Sequence, residues 1–149
     1  MAMTVRAGWS TPMLQVAEVE RSIRFYRLLG FELIDLEGEA GCPLVWARMS
    51  TADGSAVMFL RGEEGHPVDP EHQGILLVLY TAELPALREQ LLKAGEKPSA
   101  IERPPWMPSG HILLHDPDGY SIGLNQWGDA EHEAWQKDLE RKRSEGRIP

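Results

Sequence analysis

Cysteine is almost absent: Cys42 is the only one in 149 residues, so no internal disulfide can form, as expected in a reducing compartment. Long hydrophobic runs are missing too, and none approaches the roughly 20 residues of a membrane span. The opening MAMTVRAGWSTPM carries no long apolar stretch of a secretion signal, so the expected location is the cytoplasm, away from any membrane. Positive charge is scarce, with 15 Lys and Arg against 23 Asp and Glu. The resulting net charge of −8 argues against a nucleic-acid partner and permits a cationic small ligand. There is no GxSxG elbow and no glycine-rich phosphate loop, and HEAWQ at His132 lacks the second histidine of an HExxH helix. Cys42 precedes a proline with no signature of an attendant base, so it reads as a passive thiol. No residue is assigned a catalytic role.

What is present is a repeat. PMLQV (12–16) alternates like a strand and runs into EVERSIRFYRLLG, where Val19, Ile23, Tyr26 and Leu29 follow helical spacing and Gly30 supplies the stop. Strands FELIDL (31–36), LVWARMS (44–50) and SAVMFLR (55–61) follow. After the polar stretch 62–73 the order recurs: ILLVLY (75–80), the helix ELPALREQLLKAG with Leu84, Leu87 and Leu91 on one face, then EKPSAI, GHILLH and YSIGLNQ. Glu18 maps to Glu83, Val19 to Leu84, Gly30 to Gly95 and Asp53-Gly54 to Asp118-Gly119, always 65 residues on (83 − 18 = 65). So long a period indicates a duplicated βαβββ module rather than a solenoid. The expected organisation is one α+β domain over 1–149: module one at about 10–61, linker 62–73, module two at about 74–127, and a helical tail at 128–149. Each module alone would leave one face of a short, curved mixed sheet bare, so the two should pair and cover each other.

The faces of the sheet follow from one turn. If Pro117-Asp118-Gly119 is a three-residue loop with a bulge, Asp116 pairs with Tyr120, Leu113 faces Gly123 and His111 faces Asn125. The 65-residue shift then sets Arg48 beside Met58 and Trp46 beside Leu60. Side chains alternate. One face therefore carries His111, Leu113, His115, Ser121, Gly123 and Asn125, or in module one Trp46, Arg48, Ala56, Met58 and Leu60. The other carries Ile112, Leu114, Ile122 and Leu124 and is suited to packing under a helix. The mixed face is the hollow one. Gly123, a glycine inside a strand, marks the close approach of some other group.

TPMLQVAEVERSIRFYRLLGFEL, its second copy and the closing HDPDGYSIGLNQ resemble the vicinal oxygen chelate superfamily, over roughly residues 10–127. That group holds glyoxalase I, extradiol dioxygenases, fosfomycin-resistance enzymes and bleomycin-resistance proteins. The resemblance implies paired βαβββ modules forming a cup, often completed by dimerisation, so a homodimer is expected. It also implies metal ligands on the first and last strands of each module, positions held here by Thr11, Met58, Leu76 and Gly123. None is His, Glu, Asp or Cys, the donors that divalent metals need. His111 and His115 share a face but lie about 13 Å apart at the usual strand rise. His66 and His72 fall in the polar linker, where solvated imidazoles are the common case. No metal and no other cofactor is expected.

Tryptophan is the positive signal, with five in the chain. Trp46 falls on the hollow face, and Trp106 sits in RPPWMPSG, a proline-stiffened loop leading to that face. Trp9, Trp127 and Trp135 flank the repeat or lie in the tail. Aromatic walls stack flat ligands and attract cations. The expected binding residues are Trp46, Arg48, Met58, His111 and Asn125, with Trp106 at the rim. The resemblance, the lost metal positions and Pro12 in TPML point to the metal-free bleomycin-resistance-like branch. The function this implies is binding or sequestration of a small aromatic or cationic molecule, with antibiotic resistance as its biological setting. The alternatives are a lyase, isomerase or dioxygenase with a displaced metal site, and a structural module without a ligand. In the tail, Asp129 reads as an N-cap, and Trp135 and Leu139, spaced i and i+4, should dock on their own module or on a partner subunit. Elemental analysis of gently purified protein should find no stoichiometric zinc, iron, nickel or manganese. A full equivalent removed by chelators together with activity would overturn the metal-free reading.

Overall fold

The computed structural model describes residues 10–63, 68–72 and 74–149. The chain divides into two compact units, 1–68 and 69–149. In the first, β1 (Met13–Val16), α1 (Val19–Arg27), β2 (Glu32–Glu37), β3 (Trp46–Ser50) and β4 (Ala56–Arg61) follow in order. The sheet runs β1-β4-β3-β2, with β1 parallel to β4 and the other pairs antiparallel. One face is sealed by α1: Val19, Ile23 and Tyr26 are buried with Leu14, Val16, Ala47, Met49, Val57 and Phe59. Tyr26 anchors this core, its ring centroid 4.8 Å from Phe59 and 5.7 Å from Phe31. Burial of a side chain of this kind contributes about 1.5–3 kcal/mol. Leu29, expected in the helical stripe, lies just past the helix and is only half-buried, because the chain already turns at Leu28 toward Gly30. The α1 carboxylate of Glu20 accepts a 2.6 Å hydrogen bond from the Leu44 N–H and so ties down the β2–β3 connection. That bond, more than the nearby Arg61 and Arg24, holds Glu20 below the ordinary carboxylate range.

The second unit has β5 (Leu76–Thr81), α2 (Leu84–Lys93), β6 (His111–His115), β7 (Ser121–Gln126) and α3 (Asp129–Ser144). Its sheet runs β5-β7-β6, with β5 parallel and β6 antiparallel to β7. Leu84 and Leu91 of α2 are buried, as are Ile112, Leu114, Ile122 and Leu124, the strand face expected to lie under a helix. Gln126 secures the start of α2: its Oε1 accepts from the Leu84 N–H at 3.0 Å and its Nε2 donates to the Ala82 carbonyl at 2.7 Å.

One expected strand is missing. EKPSAI forms no strand; beside β6 run an isolated bridge, Glu102 to His111, and one backbone bond from the Ser99 N–H to the Leu113 carbonyl at 2.9 Å. Pro98 has no N–H to give to a ladder. Ser99 adds to the irregularity: its hydroxyl accepts from the Leu113 N–H, and its carbonyl accepts from Arg88 Nε at 2.8 Å.

The repeat holds down to single hydrogen bonds. Gly30 and Gly95 both have φ of +86°, a conformation favoured by glycine. The residue after each closes the helix end, Phe31 N–H on the Tyr26 carbonyl and Glu96 N–H on the Leu91 carbonyl. In the hairpins, Thr51 N–H meets the Ser55 carbonyl at 2.8 Å and Asp116 N–H meets the Tyr120 carbonyl at 3.0 Å.

The tail is the expected helix, with two corrections. Asp129 is its first residue and not its N-cap; Gly128 holds that place, and the Glu131 carboxylate accepts from the Gly128 N–H at 2.8 Å. That backbone bond, with a further hydrogen bond from the Ser109 side chain, lowers the Glu131 pKa. Trp135 meets Trp127 edge-on at 6.0 Å yet stays 42% exposed, and no residue of α3 is buried. Leu139 is half-buried at most. The Asp138–Arg141–Glu145 ion pairs farther along are solvent-exposed and add little. The ring contact and the capping bond that tie the helix to the chain before it both lie in its first two turns. Truncation after Trp127 should lower stability by about 1 kcal/mol in thermal melts, the scale of one aromatic contact. An unchanged melt would show that the Trp127–Trp135 contact contributes nothing.

Candidate functional site

The hairpin registers agree with those expected from turn chemistry. Trp46 pairs with Leu60 and Arg48 with Met58 in the first unit. His111 pairs with Asn125 and Leu113 with Gly123 in the second. Ala47, Met49, Val57, Phe59, Ile112, Leu114, Ile122 and Leu124 are the buried alternates on the helix side, so by strand alternation the residues of these pairs lie on the opposite sheet face, where Asn125 is buried as well. The six expected binding residues fall into two groups, each within one unit: Trp46, Arg48 and Met58 in the first, Trp106, His111 and Asn125 in the second.

In the first unit Trp46, Arg48 and Met58 are each half-buried, while Met13, the parallel neighbour of Met58, is exposed. Asp35 stands opposite Arg48 across β2 and β3, just after a break in register. Beside this face an open cleft of about 770 Å³ is lined by Gln15, Ala17, Val45, Leu60, Arg61, Gly62 and Glu63. Sequence reasoning placed Leu60 on this face but did not foresee the cleft. Its one local signal is Gly62, where a Cβ would come 3.4 Å from Gln15 Nε2 and from the Val68 side chain.

The second unit shows what approaches Gly123. A Cβ there would lie 3.2 Å from Cε1 of His111, so the missing side chain leaves room for the imidazole to lie across the strand. His111 Nδ1 is 2.7 Å from Asn125 Oδ1, and Asn125 is only 3% exposed. The Trp106 ring stands 4.8 Å from that of His111 at 67°. Its loop is clipped in place. Arg103 donates to the carbonyls of Pro108 and Ser109, Met107 is buried, and Gly110 takes φ of +132° against Leu84 and Ile101. Trp106 itself is left 63% exposed. The parallel β5–β7 register puts Leu76, Val78 and Tyr80 on the same face, all exposed. Together with Leu113 they form an apolar surface of the sort that marks interaction sites. Tyr80 continues into Trp127 at 5.6 Å.

The donor set does not fit the metal that the fold's enzymes use. At Thr11, Met58, Leu76 and Gly123 only a hydroxyl and a thioether could offer an atom, and the imidazole of His111 occupies the space beside Gly123. Among the described residues no three of His, Cys, Asp and Glu come together. The side chain of His72 and the whole of His66 and Trp9 lie outside the described residues. Cys42 is exposed.

The two units repeat one α+β order, a strand and helix followed by an antiparallel hairpin whose second strand runs parallel to the first strand of the unit. The comparisons supply the family. The model of the Glyoxalase/Bleomycin resistance protein/Dioxygenase superfamily matches residues 9–124, and the chain belongs to that superfamily. No curated protein matches it in sequence. Among solved structures it is similar to a bleomycin-binding protein complexed with bleomycin, at 24% identity and a TM-score of 0.60, over 82% of this chain and 100% of the other. It is similar also to TnmS3, an antibiotic-binding protein from Streptomyces sp. CB03234, at 20% and 0.63, over 84% and 100%. The fosfomycin resistance protein FosX from Mesorhizobium loti aligns at 16% and 0.60, over 87% and 99%. At such identities these likenesses establish the fold alone.

Gly123→Ala tests the close approach directly. The imidazole must yield a few tenths of an ångström, while alanine gains about 0.4–1 kcal/mol by restricting the unfolded chain. Stability should therefore change by less than about 1 kcal/mol while the His111 NMR signals shift. Unmoved His111 signals would contradict the contact.

Proposed function

We propose that the protein binds and sequesters a small planar, aromatic or cationic molecule without a metal, in the manner of a drug-binding resistance protein. The observation that carries this is the Trp106–His111–Asn125 group on the helix-free face: a clipped loop holds an exposed tryptophan against an imidazole that a buried amide fixes. Aromatic surface beside a few fixed polar groups suits the recognition of flat ligands. The chelating positions hold no chelating set, which supports binding over metal-assisted chemistry. The net charge of −8 favours cationic ligands. The bleomycin-binding and antibiotic-binding proteins of like fold supply the precedent. In the first unit, Trp46, Arg48 and Met58 form a second contact surface in the same reading. We infer a homodimer as well, on the strength of the exposed apolar row Leu76, Val78, Tyr80 and Leu113, which association would cover.

Native mass spectrometry from lysate reports ligand, metal and subunit count together, and a screen of planar cationic compounds by tryptophan fluorescence supplies affinities. Trp106→Ala and Trp46→Ala, made separately, should each weaken a planar ligand by roughly 1–3 kcal/mol, the range of aromatic hot spots. Unchanged affinity in both variants would remove the aromatic surfaces from the site.

A further inference from the structure

We propose that His111 is a fixed hydrogen-bond acceptor, held by Asn125 with its proton on Nδ1, so that the site selects planar ligands carrying an N–H or O–H donor on one edge. This rests on the ligand-binding reading of the same face and names the chemistry that face would recognise.

The argument begins with the 2.7 Å contact between His111 Nδ1 and Asn125 Oδ1. An amide oxygen has only lone pairs to offer, so Nδ1 must carry the hydrogen and donate it. In a neutral imidazole the other nitrogen, Nε2, is then a bare acceptor. Among the described residues Nε2 has no hydrogen-bond partner, and His111 is half-buried and so still open to a ligand. Asn125 cannot readily exchange this bond for water. It lies in β7, is 3% exposed, and would forfeit a hydrogen bond at a buried site.

Two neighbours complete the selection. Gly123 leaves room for the ring to lie flat across the strand, with Cε1 at 3.2 Å from where a Cβ would be. Trp106, at 4.8 Å and 67° to the imidazole, offers an exposed indole as a stacking plane. A flat molecule resting on Trp106 presents its edge to His111, and an edge with an N–H or O–H completes the bond. A methyl in its place meets an unpaired acceptor. Turning the Asn125 amide over would put its N–H on Nδ1, force the ring proton onto Nε2, and reverse the preference to acceptor-bearing ligands.

Long-range 1H–15N NMR of the full chain at pH 8 distinguishes the two arrangements, with His111 assigned by its loss in His111→Gln. The expected pattern is a protonated Nδ1 and an imine-type Nε2; in Asn125→Asp, whose carboxylate also accepts from Nδ1, the same tautomer should persist. Titration with indole and with 1-methylindole then follows the His111 and Trp106 signals. Indole should bind about tenfold more tightly, a difference near 1.4 kcal/mol, and His111→Gln should reduce that discrimination. A protonated Nε2 in the wild-type chain overturns the acceptor assignment and leaves the ligand-binding reading standing, as does equal binding of the two probes. If neither probe moves either signal, both the assignment and the reading beneath it fail.

Discussion

Everything on the two sheet faces depends on the register of the hairpins, and that register is pinned by a tight turn ending in a positive-φ glycine. Gly54 at +90° and Gly119 at +95° let three-residue loops close with the Thr51–Ser55 and Asp116–Tyr120 backbone bonds. In the second turn the Asp116 carboxylate reinforces the closure, accepting from the N–H groups of Asp118 and Tyr120 at 2.9 Å each. A slip of β6 by one residue against β7 would send Ile112 and Leu114 to the open face and His111 to the helix side. The cost of burying an imidazole there and of exposing two aliphatic side chains opposes the slip.

Because two physical rules govern these hairpins, they could be read from the sequence. Turn chemistry sets the partner of each residue, and the two-residue strand period sets its face. The duplication then transfers the result from 111–126 to 46–61 without further information. The helix ends were legible for a similar reason, since Gly30 and Gly95 terminate their helices by the same local bonds. Where structure depends on individual side-chain hydrogen bonds, local pattern was not enough. The start of α2 is secured by Gln126, 42 residues away, and no local pattern reveals it. EKPSAI had the composition of a short strand, but Pro98 has no N–H to donate and the Ser99 hydroxyl, not a backbone carbonyl, accepts from the Leu113 N–H. Asp129 looked like an N-cap by residue type, while the cap position fell one residue earlier, with Glu131 serving the Gly128 N–H.

The sheet face of each candidate strand residue was legible, and the contacts it makes there were not. Alternation placed His111, Asn125 and Gly123 on one face, and the family resemblance drew attention to Gly123 as the position of a lost ligand. That the His111 imidazole lies over Gly123 could not be read, since it depends on χ angles and on the Asn125 amide. Nor could the meeting of Trp106 and His111. That contact is made by the Arg103 clip and the Gly110 backbone, both features of a loop with no periodicity.

The duplication also shows which residues the fold needs and which it does not. Trp46 and His111 hold equivalent positions (111 − 46 = 65), as do Leu60 and Asn125, and in each hairpin the two residues are direct cross-strand partners. The first unit has an apolar pair there and the second a polar one, so the fold accepts either. On stability grounds the apolar pair is the simpler choice, because an amide buried to 3% exposure is tolerable only while its hydrogen bond is intact. A satisfied but replaceable polar pair of this kind contributes little net stability. What it adds is direction: the bond to Asn125 holds the imidazole at one angle, with the exposed Trp106 ring 4.8 Å away. The polar pair is therefore not a requirement of the scaffold, since the equivalent apolar pair builds the same hairpin in the first unit.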